Sequence, residues 1–299
     1  MTSGLGNMIR RNVKLFFRDK GMFFVSLITP GILLILYISF LGNIYRASFT
    51  EAIPEGLTVD AKLINSLAAS QLVSSLLAVS CVTVAFCSNM VMIRDRLNGA
   101  RSDFDVTPIK SSTLSISYFV SAAISTLTIC FVTLAIGLVY IAAVGWYFSA
   151  GDLICLILDT FLAALFGTAI SSVVNSFVRS QGQMSAVSSI ISSVYGFICG
   201  AYMPISNFSD WLQKTVHFLP GTYVTSLFRN HTMRGVLSAM SDAGIPKQLT
   251  DGFAEFADCT PDFFGHTVTV PVMYAIVAVT TLVLIGVYVL VCRPKKTVK

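Results

Sequence analysis

Few side chains in this sequence are placed to do chemistry. Three histidines, His217, His231 and His266, are scattered along one polar stretch and are not set at metal-ligand intervals. Solvated or loop-packing histidines fit that scatter better than a metal site. There is no Gly-Lys dipeptide, so the phosphate cradle GxxxxGK[ST] cannot be built. HExxH, GxSxG and EF-hand patterns are missing too. Of 7 cysteines, Cys81, Cys87, Cys130, Cys155, Cys199 and Cys292 lie in or beside apolar stretches, and Cys259 lies in a polar one. That distribution gives no disulfide framework. One acid, Asp159, interrupts a long apolar stretch. In a bilayer such an acid costs about 2.5–3.5 kcal/mol. Two uses fit it: a bond to Ser, Thr or Tyr of a neighbouring helix, or a proton or cation relay.

The elements that would hold these residues follow from composition. The chain has 299 residues, 55% hydrophobic and only 12% charged. Mean hydropathy is +0.77. A soluble domain is about 25% charged, so a soluble enzyme is excluded. Disorder is excluded by the wealth of Phe, Ile, Leu and Val. What remains is an all-α polytopic membrane protein, a single transmembrane domain over 1–299. No internal repeat is evident.

Apolar, almost charge-free windows predict six spans near 22–41, 66–92, 114–144, 153–174, 184–204 and 268–292. Each approaches or exceeds the roughly 20 residues that cross the hydrocarbon as helix. An even number puts both termini on one side. Arg10, Arg11, Lys14, Arg18 and Lys20 precede the first span, and Arg293, Lys295, Lys296 and Lys299 follow the last. Arg94, Arg96, Arg101 and Lys110 lie between spans two and three, and Arg179 follows span four. Most of the 20 basic residues thus share one face, which the positive-inside rule makes cytoplasmic. The first apolar run is too long for a signal peptide's core and is expected to stay as a span.

Three segments carry further information. Residues 1–20 set Leu5, Met8, Ile9, Val13, Phe16 and Phe17 on one helical face and Arg10, Arg11, Lys14 and Arg18 on another, ahead of Asp19. This predicts an amphipathic interfacial helix, either a topological anchor or a partner contact. The inner loop, 93–112, alternates charge through Arg94, Asp95, Arg96, Arg101, Asp103 and Asp105, holds Gly99, and reaches Pro108. A short helix closed before Pro108 is expected there. It reads as a docking surface or as an ordinary solvated loop. The outer stretch, 206–267, begins after Pro204 and sets Phe208, Trp211, Leu212, Val216 and Leu219 at roughly helical spacing. Pro220-Gly221 breaks it, and a second short helix of about 222–233 stops at Gly235. This pair is too apolar for a free loop and too short to span, which predicts re-entrant helices between spans five and six.

In order, these segments resemble the permease subunits of type-2 ABC exporters, whose fold is shared with the G-subfamily of ABC transporters. The Arg18-Asp19 approach to span one and its Pro30 match the first motif. Arg94-Asp95-Arg96, Gly99-Ala100 and Thr107-Pro108-Ile109 resemble the family's inner-loop pattern, with Arg94 in place of its first acid. Gly200, Pro204, Trp211-Leu212, Leu219-Pro220, Thr222-Tyr223 and Arg229 follow the outer pattern.

The resemblance implies a permease with no ATPase site of its own. Two copies of a separate ABC ATPase subunit, carrying ATP and Mg, would dock below it. Arg94, Asp95, Arg96, Gly99, Arg101, Asp103, Asp105 and Pro108 would form the coupling element. Arg10, Arg11, Lys14, Arg18 and Asp19 would form the N-terminal contact. A second permease chain, identical or different, would complete the substrate path. Spans two and five would line it through Phe86, Asn89, Ser189, Ser192, Ser193 and Tyr195, although small polar residues also serve plain helix packing. Pro204, Trp211, Leu212, Pro220 and Tyr223 would form the outer gate. The expected cargo is amphipathic, lipid-like or peptide, moved out of the cytoplasm or inner leaflet by alternating access. The expected setting is a bacterial-type plasma membrane, with lipids as partners and no nucleic acid. Two other classes compete: an autonomous secondary carrier or channel, and a non-transporting immunity or sensor partner.

Overall fold

The computed structural model describes residues 2–54, 56–107, 109–263 and 265–292. Pro108 and the basic tail after Cys292 lie outside the described residues. Helix α1 (Thr2–Arg18) leads into α2 (Lys20–Leu36), a π turn (Tyr37–Leu41) and α3 (Gly42–Glu51), so the first span continues well past Leu41. Helix α4 (Ala61–Ser88) runs on across Asn89 into α5 (Met90–Leu97), and α6 (Ala100–Asp105) follows a left-handed Gly99. Then come α7 (Ser111–Val144), α8 (Ala150–Phe177) and α9 (Gln181–Ile198). The last third holds α10 (Asp210–Val216), α11 (Pro220–Asp242), α12 (Lys247–Phe256) and α13 (Val270–Val291). Two short paired strands, β1 (Asp262–Phe263) and β2 (His266–Thr267), are the one addition to an all-α plan among the described residues.

Local sequence explains where helices begin. Asp19, Asp60 and Ser180 accept backbone N–H groups of Met22, Lys62 and Gln183 at the starts of α2, α4 and α9. Ser149 and Asp152 form a reciprocal capping box on α8. Pro220 occupies the first turn of α11, where its missing N–H costs nothing.

Among the described residues, five helices are long and apolar enough to cross a membrane: Lys20–Glu51, Ala61–Leu97, Ser111–Val144, Ala150–Phe177 and Val270–Val291. The expected fifth span differs. Helix α9 ends at Ile198 instead of 204, and Gly200 (φ 70°) turns the chain. Its 18 residues include five serines, Ser185, Ser188, Ser189, Ser192 and Ser193. At 1.5 Å per residue it is about 27 Å long.

Helix α4 is the centre of the bundle, packed by α7, α11, α8 and α2. Nearly all its side chains are buried, including many small hydroxyls. Some of these hydroxyls bond back to their own helix, as Ser66 does to the Lys62 carbonyl (2.8 Å) and Thr83 to Val79 (3.0 Å), whereas those of Ser75, Ser80 and Ser88 are buried without a hydrogen-bond partner. Small residues also allow close helix approach. The outer helices reverse this logic. Ile35 and Phe40 of the first span, and Leu282, Val283 and Leu290 of α13, point outward, as hydrocarbon requires of a solvent-facing surface.

Helix α11 departs most from expectation. It does not stop at Gly235 but continues to Asp242. A Cβ at Gly235 would lie 2.1 Å from the Tyr147 carbonyl oxygen. The glycine therefore serves close approach between α11 and the α7–α8 loop, not helix ending. Likewise Gly196 gives room to the Tyr202 ring, 2.3 Å from where a Cβ would stand, instead of seating another helix. Gly235→Ala is expected to lower stability by about 1–3 kcal/mol through this overlap. Thermal unfolding of the purified variant in detergent measures it.

Candidate functional site

The basic end of the bundle is stitched by two clamps. Arg11 of α1 donates to both Asp95 carboxylate oxygens, at 2.5 and 3.1 Å. Tyr118 of α7 donates to the same carboxylate at 2.7 Å, and the Arg11 guanidinium lies 5.1 Å from the Phe104 ring centre. The Asp95 bond holds the Arg11 pKa above its ordinary value. The second clamp joins Arg94 to Asp19, which also caps α2 through the Met22 N–H. Arg94, and then that N–H, draw the Asp19 carboxyl below its usual range. Its contribution is therefore present at neutral pH and is lost only as pH falls through that lowered value. The pair is half exposed, so it is worth about 0–1 kcal/mol. Its role is direction: it fixes α5 against the start of span one. Arg96 completes the set by donating to the Ser176 and Val178 carbonyls at 3.0 and 2.8 Å, at the end of α8.

Five of the expected partner contacts, Arg94, Asp95, Arg96, Arg11 and Asp19, are thus engaged within the chain. Arg10, Lys14, Arg18, Gly99, Asp103 and Lys110 are exposed, and Arg101 is half-buried. Helix α6 carries Asp105, whose side chain is not described. Beyond it stands Val106, 87% exposed. No motif pointed to this residue. The apolar stripe of α1 packs on α7, with Met8 and Phe16 buried, so α1 is anchored by protein as well as amphipathic.

Within the apolar layer, a cavity of about 670 Å³ lies between the first span and α9. Leu33, Tyr37 and Tyr45 form one wall, Ser192, Ser193 and Phe197 the other, and Tyr202 and Pro204 close the acidic end. The π turn places Tyr37 here, its hydroxyl buried without a hydrogen-bond partner. Span two does not line this cavity. Phe86 and Asn89 are buried in the bundle. Asn89 donates to Ser171 and Ser172 of α8 at 2.6 and 2.9 Å, a packing role. Ser189 is exposed on α9, whereas Tyr195 is buried, its hydroxyl 2.8 Å from where a Gly221 Cβ would be.

The turn between α10 and α11 is stapled. Thr222 donates to the Val216 carbonyl at 2.8 Å and Tyr223 to that of His217 at 2.7 Å. Pro220 and Leu212 are half-buried, and Trp211 is exposed. Below this turn, Arg229 is 0% exposed. It donates to Asp258 (2.9 Å) and to the Gly200 carbonyl (2.6 Å). With its amide oxygen turned toward the guanidinium, Gln71 of α4 accepts at 3.1 Å. Asp258 also accepts the Ile205 N–H at 2.8 Å. Burial pushes the Asp258 carboxyl up, and Arg229 pulls it back in part. Cys259 beside it is buried against Met233, not in water as its neighbours suggested. Asp258 and Gln71 were not legible as site residues, because each acts across a long sequence gap.

A helical polytopic bundle with several membrane-length apolar helices defines an integral membrane protein. The family model described as ABC-2 type transporter matches residues 4–232, and the chain belongs to that family. No curated protein matches it. The chain is accordingly a membrane permease component of an ABC transporter.

Arg229→Met should strand the Asp258 carboxylate and cost about 3–5 kcal/mol. Adding Asp258→Leu should recover part of the loss. Thermal unfolding of the two variants against the parent chain checks this.

Proposed function

We propose that the chain is the permease half of an ATP-driven exporter, powered by a separate ABC ATPase subunit that carries ATP and Mg. The basic face, with both termini, is cytoplasmic; the α10–α12 end faces outside a bacterial-type plasma membrane. Two ATPase subunits and a second permease chain complete the transporter.

The observation that carries this reading is the bare apolar tip at Val106. It stands at the end of a segment that two clamps hold against α1, α2 and α7. An exposed apolar side chain on a fixed polar element is what a docking surface presents. Asp103 and Lys110 flank it in the chain, and with the exposed cations of α1 they set orientation and encounter rate more than affinity. Force applied at this tip reaches span one through Asp19 and α7 through Asp95.

The cavity beside span one supports an amphipathic or lipid-like cargo. Its walls are apolar, with only a few hydroxyls to meet a polar head. The stapled α10–α11 turn acts as the outer gate, re-entering from the outside. Alternating access then needs two arrangements of α9 and α11 with different contacts.

Val106→Asp should weaken ATPase association by at least about 1.4 kcal/mol, tenfold. Its own stability should stay within about 0.5 kcal/mol of the parent. Co-purification from gently solubilised membranes, paired with thermal unfolding, reads both. Equal recovery of an ATPase subunit with the variant would contradict the docking role.

A further inference from the structure

Asp159, His231 and Tyr274 meet inside the bundle, one each from α8, α11 and α13. His231 Nδ1 lies 2.6 Å from Asp159 Oδ2, and the Tyr274 hydroxyl donates to Asp159 Oδ1. The imidazole and phenol rings are nearly parallel, with centres 6.2 Å apart. Asp159 and His231 are each only 2% exposed. Nothing in docking, cargo binding or the Arg229 knot uses these groups.

Charge counting shows what is unusual. Both carboxylate oxygens are engaged, one by His231 and one by Tyr274. With one proton on the imidazole, the cluster carries a net negative charge in a low-dielectric interior. With two, it is neutral. An uncompensated buried charge is strongly disfavoured. Among the described residues, the neighbours offer no unpaired cation. Cys155 of α8 faces Tyr274, and Cys81 of α4, beside Cys130 of α7, faces Asp159. One turn away, Arg234 is already spent on Asp152, Nε to Oδ1 at 2.7 Å. The second ring nitrogen of His231 is therefore the place for the balancing proton, and imidazole is the side chain that gains or loses one between about pH 5 and 8.

We propose that Asp159, His231 and Tyr274 form a buried proton-binding site that locks α11 against α8 and α13. Uptake converts neutral imidazole to imidazolium and needs no co-reactant but the proton. Release leaves the Asp159 charge unbalanced and loosens α11, the helix that carries Arg229 and begins at the α10–α11 turn. Movement of the outer gate is thereby linked to a proton, a ligand separate from ATP and cargo. The proposal does not depend on which ATPase or cargo serves the chain.

The test is thermal unfolding of the full chain in lipid nanodiscs from about pH 5.5 to 8.5. On this proposal the native state binds the extra proton, so stability should fall as pH rises across this range. One linked proton changes the unfolding constant by up to about tenfold per pH unit. The double variant Asp159→Asn/His231→Gln keeps a hydrogen-bonding pair but cannot take up the proton. It should lose that pH dependence, while His217 and His266 remain in place as internal controls. Hydrogen exchange along α11 should speed up with pH, beyond the intrinsic rate, in the parent chain alone. A flat parent profile, or the same slope in parent and double variant, would overturn the proton site and leave a static polar knot. If the double variant does not fold, His231→Gln alone is read by the same two measurements.

Discussion

A charge in the apolar interior of this chain must find its partner on another segment. Moving an ion out of water costs several kcal/mol even after relaxation, and only close, hydrogen-bonded opposition offsets it. The buried Arg229–Asp258 pair follows this rule, the buried Asp159 meets His231, and at the partly exposed ends Arg11–Asp95, Arg94–Asp19 and Arg234–Asp152 pair in the same way. Each joins segments far apart in sequence. Because lipid gives no hydrophobic drive between helices, these pairs and close small-residue contacts do much of the specification. Helix α4 supplies the common surface, and the pairs choose how the other helices sit on it.

The two ends use the constraint differently. At the basic end, paired Arg and Asp residues brace a short segment and leave its tip free. At the acidic end, Arg229 gathers the α9 exit, α4 and the loop after α12 around one guanidinium. Between them, the π turn in the first span and the short α9 leave a side cavity where a continuous, fully packed bundle would have none. A π turn marks a place where regular packing is given up, often for function.

Much of this was legible in the amino-acid order. Hydrophobic run length and the Lys/Arg asymmetry gave the helical membrane class and most spans, because both reflect the solvent and not the detailed packing. The capping residues Asp19, Asp60 and Ser149 mark starts that local chemistry dictates. Legibility ended where partners are distant. Asp159 was recognisable as a costly acid, and its bond to a tyrosine was foreseen in kind. His231 looked like a loop histidine, because nothing local says that α11 turns it inward. Arg94, Asp95 and Arg96 looked like free docking charges for the same reason. Gly235 looked like a helix stop, since its real cause is a carbonyl from another loop. Asn89, taken for a path residue, is instead a packing amide facing serines about eighty positions away.

The account turns on one contact: the tip beyond α6 meeting a nucleotide-driven partner. A photocrosslinking amino acid placed at residue 106, activated in intact membranes, reports that contact directly. The account predicts a single stoichiometric adduct to a soluble subunit that binds and hydrolyses ATP, strengthened or weakened by nucleotide. Crosslinks only to lipid or to a second copy of the chain, with the purified chain alone moving solute across vesicles, would contradict it.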